Sequence, residues 1–245
     1  MIVDSLVYLG ESLHGPSASA DDVLRALDAA GIDRAVAVPA RPPGYHLGPA
    51  NDALAAAAAA HPGRLTGLAR VDPQQSDAAD ALGRALDGGL AGLFLHPWEE
   101  TFRINAPFVD RVVAVAAERG VPVVIAAGYP WLSEGLQVGD LVGRFPETTF
   151  VATNGGQINI SGLGQTDVEL ALTDCPNLSL QTAGVYREDF LELVIARYGR
   201  ERLLFSSHFP LFDPRLEVKR GQWLHLPDDV KADVLGANAA RVFGL

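Results

Sequence analysis

Eight short runs rich in β-branched and other apolar residues recur along the 245 residues, with helix-forming segments between them. The runs fall at residues 2–9, 35–38, 65–71, 91–96, 121–127, 149–153, 178–182 and 203–206. Helical patterns lie at 51–60, 76–86, 107–118, 134–144, 166–172, 187–198 and 228–235, and 238–243 reads as a closing helical turn. Another opens at Ser19, an N-cap residue followed by Asp21 and Asp22, as helix starts require. Eight strand–helix units in a chain of this length predict an α/β fold of the (β/α)8 TIM-barrel type. A doubly wound open sheet uses fewer strands and often a glycine-rich first turn. No GxGxxG follows the first strand and no GxxxxGK[ST] occurs, so the dinucleotide and P-loop readings fail. No linker-like tract divides the chain, which predicts one domain over residues 1–245.

Composition narrows the function. Hydrophobic residues make up 48% and charged residues 20%, enough for a sizeable core. Thirty acids against nineteen bases give a net charge of −11, which opposes a nucleic-acid or anionic-membrane surface. No apolar run reaches membrane-spanning length, and MIVDSLVYLG reads as a strand rather than a leader, so a cytoplasmic location is expected. Cys175 is the single cysteine, so neither an internal disulfide nor a thiolate zinc cluster can form. Any metal would need His, Asp or Glu ligands, and six histidines are available.

Barrel active sites collect at the C-terminal ends of the strands. The polar and aromatic residues expected there are Asp4 and Tyr8, Arg70, His96 and Trp98, Tyr129 and Trp131, Asn154 and Gln157, Gln181, and His208 with Asp213 beyond it. His14 and His46 fall on loops, His61 and His225 at surface helix ends, and Cys175 reads as a buried small residue. Ser207 and His208 are adjacent on a strand and point to opposite sides, so they make a poor nucleophile pair.

The ordered motifs VDSLVYLG, GLFLHP, GVPVVIAAG, FVATNGG, LFSSHFPLFDP and GANAARVF resemble the amidohydrolase-related branch of the amidohydrolase superfamily. That branch includes aminocarboxymuconate-semialdehyde decarboxylase and related aromatic-acid decarboxylases, hydratases and lactonases. The resemblance implies an amidohydrolase-like barrel acting on a small molecule, with a divalent metal held by His-x-His and further ligands. At those positions this chain carries Leu6 and Tyr8, Ala126, Thr153 or Asn154, and His208 in place of an aspartate. Leucine and alanine cannot coordinate, so no metal and no other cofactor is expected.

The reading is therefore a metal-independent hydrolase or lyase acting on a small aromatic or carboxylate-bearing metabolite. His208 and His96 are its acid–base candidates, because imidazole titrates near neutrality. Tyr8, Arg70, Trp98, Tyr129, Asn154, Gln157 and Asp4 are its substrate-binding candidates, with Trp131 as a further wall. Asp4 or Asp213 would orient a histidine. One rival is an inactive barrel that binds a ligand or protein, and it predicts histidines saturated by structural hydrogen bonds. A second rival recruits a metal through His96, His208 and Asp4 or Asp213. Pairing through helices would make a homodimer.

Overall fold

The computed structural model describes residues 1–157 and 162–245. Nine parallel strand segments run in chain order: β1 (Val3–Leu9), β2 (Arg34–Pro39), β3 (Leu65–Gly67), β4 (Ala69–Arg70), β5 (Leu93–Leu95), β6 (Val123–Ile125), β7 (Phe150–Ala152), β8 (Leu178–Gln181) and β9 (Leu203–Leu204). β3 and β4 are one stave interrupted at Leu68, whose N–H still donates to the Ala37 carbonyl at 2.9 Å. The nine segments thus make the eight expected staves. The ring closes where Ser5 N–H donates to the Phe205 carbonyl at 2.9 Å and Tyr8 N–H to that of Phe209 at 2.7 Å. The result is the (β/α)8 barrel.

Side-chain alternation splits the apolar residues into two cores. Val36, Val38, Phe94, Val124, Val151 and Leu204 fill the lumen. Their neighbours Ala35, Ala37, Leu93, Leu95, Val123, Ile125 and Phe150 face outward against the helices. Both faces of each stave are therefore buried, and for that reason the strands read as continuous apolar runs.

The helices are α1 (Ala20–Ala30), α2 (Gly48–Ala60), α3 (Ala78–Asp87), α4 (Asp110–Glu118), α5 (Gly135–Gly143), α6 (Gly162–Asp174), α7 (Glu188–Tyr198), α8 (Pro214–Trp223), α9 (Asp228–Ala232) and α10 (Asn238–Phe243). Ser19 caps α1 in a full capping box with Asp22. α8 was not expected from the sequence, because charged residues interrupt any apolar stripe in Arg215-Leu-Glu-Val-Lys-Arg. What starts α8 is Asp213, whose carboxylate accepts from Arg215 N–H, with Pro214 preset in the first turn. The predicted closing turn is α10, and it plugs the lumen: Ala239 and Phe243 join the inner core at the floor of the barrel. No helix among the described residues is long and apolar enough to cross a membrane.

Candidate active site

Register sets the floor of the site. Phe94, Val124 and Val151 lie side by side in one lumen layer. Two residues further along, the same inward positions are His96, Ala126 and Thr153, and all three line a cavity of about 320 Å³ at the barrel mouth. Tyr8 and His208 line it from the closing staves. After β7 the chain turns through Asn154, Gly155 and Gly156, all at positive φ. Glycine is required at 155, where a Cβ would come within 2.7 Å of Val185. This turn brings Asn154 to the cavity wall.

Aromatic contacts tie the two histidines together. Tyr8 meets the edge of His208 at 6.1 Å and that of Phe94 at 6.0 Å, and Phe94 meets His96 at 5.8 Å. His96 then contacts Tyr129 at 5.4 Å, and Tyr129 stacks on Trp98 at 5.8 Å and 16°. His14, from the loop after β1, closes the arc against Trp98 at 5.4 Å. The cavity therefore has a continuous aromatic wall suited to a flat ligand.

The hydrogen-bond network assigns the tautomers. Gln181 spends its amide N–H groups on the carbonyl and hydroxyl of Ser5, so its Oε1 is left to face His208 Nε2 at 3.4 Å. His208 therefore carries its proton on Nε2 and a lone pair on Nδ1. His96 is the same tautomer but leaves its other nitrogen for the cavity. Glu99 N–H points at Nδ1 from 3.3 Å, so the proton sits on Nε2, 3.8 Å from Glu99 Oε2. Among the described residues neither remaining ring nitrogen has a hydrogen-bond partner, and both residues line the cavity. Burial pulls the His208 pKa down to about 3. Burial, and then the Arg70 charge, hold His96 well below its ordinary value. Both rings are neutral at pH 7, one offering a lone pair and the other an N–H.

Several expected positions are corrected. Arg70 does not face the cavity. Its side chain is fully buried in the lumen over Phe94, held by Glu99, by Glu100 at 2.7 Å and by the Pro39 carbonyl at 3.0 Å. Gln157 is buried off the cavity, its N–H bonded to the Asn154 carbonyl. Trp131 is 77% exposed and outside the cavity, and Asp213 serves α8 and Arg215 instead. His46 belongs to a separate cavity of about 310 Å³ beside the starts of α2 and α3. Cys175 is buried as expected, with its thiol pKa raised by burial.

Asp4 lies beneath the site and is fully buried. Its Oδ1 accepts from Ser207 N–H at 2.9 Å and Leu6 N–H at 3.2 Å, while Oδ2 has no partner among the described residues. Burial pushes its pKa up from 3.8 to about 7. The folded state thus binds this proton more tightly than the unfolded state. Asp4 contributes fully below about pH 4, and that contribution is lost as pH rises through 7. Asp4→Asn should remove an alkaline loss on the order of 4 kcal/mol, read as the difference between wild-type and variant urea titrations from pH 4 to 8. Parallel profiles would mean that Asp4 is ionised in the fold.

Two charged cavity residues escaped the sequence reading. Glu99 is the only carboxylate on the cavity wall among the described residues, and Arg41, just past β2, is the only lysine or arginine there. Arg41 Nη1 is anchored on the carbonyls of Pro42 and Gly44, and its Nε lies 3.3 Å from Glu100 Oε1.

The side chains do not fit the divalent metal that the resemblance implies. Leu6 is packed in the lumen and Ala126 has no donor. Burial holds the Tyr8 phenol neutral, with its pKa well above the usual value. The Thr153 hydroxyl is spent on Asn154 Oδ1 and on Ala127 N–H. Among the described residues no three His, Cys, Asp or Glu side chains can share a metal ion. The recruited set fails as well, since Asp4 and Asp213 lie outside the cavity.

A barrel with its cavity at the C-terminal strand ends and these motifs defines an amidohydrolase-type protein. The amidohydrolase family model matches residues 12–245, and the chain belongs to that family. No curated protein matches it in sequence. It is similar in structure to 5-carboxyvanillate decarboxylase from Sphingomonas paucimobilis, with 19% identity, 100% of this chain and 99% of that one covered, and a TM-score of 0.77. It is also similar to 2,6-dihydroxybenzoate decarboxylase from Rhizobium (17%, 99% and 98%, TM-score 0.79). A third similar structure is dihydroxybenzoic acid decarboxylase from Polaromonas sp. JS666 with bound manganese and 2-nitroresorcinol (16%, 100% and 96%, TM-score 0.79). At these identities the likeness is one of fold.

Proposed function

We propose that this protein is a metal-independent lyase that decarboxylates a small hydroxylated aromatic acid by side-chain acid–base chemistry. The observation that carries the reading is the pair of neutral histidines on one aromatic-walled cavity, His208 with its Nδ1 lone pair left over and His96 with its Nε2–H. An inert binding barrel predicts both rings saturated, whereas among the described residues His208 Nδ1 and His96 Nε2 have no hydrogen-bond partner, which supports the enzyme reading.

The ring of the substrate lies along Trp98 and Tyr129, and Arg41 attracts its carboxylate. Tyr8, Tyr129 and Asn154 offer donors to its oxygens. His208 Nδ1 takes the proton of a ring hydroxyl, which raises electron density at the carbon bearing the carboxylate. That carbon gains a proton, the bond to the carboxylate breaks with its electron pair left on the ring, and CO2 departs. His208 then returns the hydroxyl proton. His96 Nε2–H donates to the oxygen charge that develops on the way. The decarboxylase activities of the similar structures favour this reaction over ester or lactone hydrolysis, which the same base would permit.

The test is CO2 release from a panel of hydroxybenzoates, including 2,6-dihydroxybenzoate and 5-carboxyvanillate, by untagged protein stripped with a chelator. Turnover that survives chelation is the expected result. Activity that vanishes and returns with manganese overturns the metal-independent reading. A raised thermal midpoint without CO2 release leaves a binding protein.

A further inference from the structure

The neutral histidines leave the lyase reading short of one group, because neither brings the extra proton that the ring carbon must gain. Resting on that reading, we infer that Glu99 and Glu100 hold one exchangeable proton between them and that Glu99 delivers it into the cavity. The two carboxylates converge on a single nitrogen. Arg70 Nη2 contacts Glu99 Oε2 and, at 2.7 Å, Glu100 Oε1. Arg70 Nε adds a bond to Glu100 Oε1 at 3.2 Å, and Nη1 is fixed on the Pro39 carbonyl. The guanidinium is thus a rigid clamp that sets two like charges side by side.

Glu100 Oε2 is buried without a hydrogen-bond partner among the described residues. An ionised carboxylate with a dry, unpaired oxygen is costly, and sharing a proton across the pair relieves that cost. Glu99 links this store to the outside: it lines the cavity, with Oε2 close to His96 Nε2.

The groups facing the pair are Arg70 from β4, Arg41 from beyond β2, Tyr8 from β1, Tyr129 from beyond β6, and His96 from the same loop. Burial keeps both phenols neutral, with Tyr129 pushed up to about 12, so neither adds negative charge. Burial also pushes Glu100 up to about 7, against the pull of Arg70 and Arg41. In the transfer, a carboxyl O–H bond breaks as the ring C–H bond forms. The carboxylate left behind is held by Arg70 and regains its proton from water after CO2 leaves.

A substrate-free experiment tests the proton store. In protein labelled with ¹³C at the glutamate side-chain carboxyls, the resonances of Glu99 and Glu100 should titrate as a coupled pair, one step falling near neutrality. Glu100→Gln should abolish that step and return Glu99 to a single transition. Should that variant fail to fold, Glu99→Gln serves in its place, leaving Glu100 to titrate alone. Independent titration of both residues in the ordinary carboxylate range overturns the inference. The transfer is read kinetically: Glu99→Gln should lower kcat for a decarboxylated hydroxybenzoate at least ~10²-fold with KM little changed. Unchanged kcat overturns the transfer. A coupled titration with no hydroxybenzoate turned over would sink the lyase reading while the shared proton stood.

Discussion

His208→Asn should lower the turnover of any hydroxybenzoate that the protein decarboxylates by ~10²–10⁴-fold, the usual share of a general base. Asparagine is the right replacement because His208 sits at φ 55°, a left-handed conformation that asparagine tolerates far better than alanine. Alanine there would mix backbone strain with loss of the imidazole. The pH profile separates His208 from the other titrating groups. With its pKa near 3 in the fold, His208 keeps its Nδ1 lone pair unprotonated down to about pH 4, so wild-type activity should not decline between pH 7 and 5 on its account. Loss of activity should come instead on the alkaline side, as the proton that burial keeps on Glu100 is given up above about pH 7. An unchanged rate in His208→Asn, with the same circular dichroism and thermal midpoint as wild type, would remove this residue from the mechanism.

The second large effect is on stability. Arg70→Met should cost about 3–5 kcal/mol, because it leaves buried Glu100, and Glu99 beside it on the cavity wall, without their main cation. Surface pairs such as Arg25–Asp22 are worth little by comparison, since water screens both partners. The double variant Arg70→Met/Glu100→Met should recover much of the loss, as apolar replacements of a buried ion pair often do. The measurement is a double-mutant cycle in urea, with the m-value checked in each variant. An Arg70→Met cost within surface-substitution range, about 0.5 kcal/mol, would mean the lumen cluster is already hydrated or neutral.

The barrel was legible because its staves are buried on both faces: a run such as Val121-Pro-Val-Val-Ile-Ala has no polar interruption to disguise it. α8 was hidden for the opposite reason, since its charged residues leave no apolar period to read. In the site, strand-end position identified His96 and His208, where alternation fixes which side chain turns inward. It misled at Arg70, which also points inward but lies one layer lower, where lumen carboxylates capture it. Periodicity cannot tell a side chain at the mouth from one just beneath it. Glu99 and Arg41 had a weaker signal. The acids of His96-Pro-Trp-Glu-Glu stand immediately past a strand end, and so does Arg41 past β2. Loop residues carry no period, however, and their direction depends on turns that only the folded chain settles.

The closing seam between β1 and the stave of β9, together with α10 in the floor, governs when the protein can become native during synthesis. Asp4, Ser5 and Tyr8 find partners some 200 residues away, at Phe205, Ser207 and Phe209. The plug of the lumen, Phe243, comes later still than these partners. A chain growing on the ribosome therefore carries an unclosed sheet with two exposed edges until the segment that follows β9 has been translated. Such sequence-distant pairing is slow to form, and the open intermediate is prone to aggregate. Soluble yield should thus depend more on chaperones, and on the temperature of expression, than the compactness of the finished barrel would suggest.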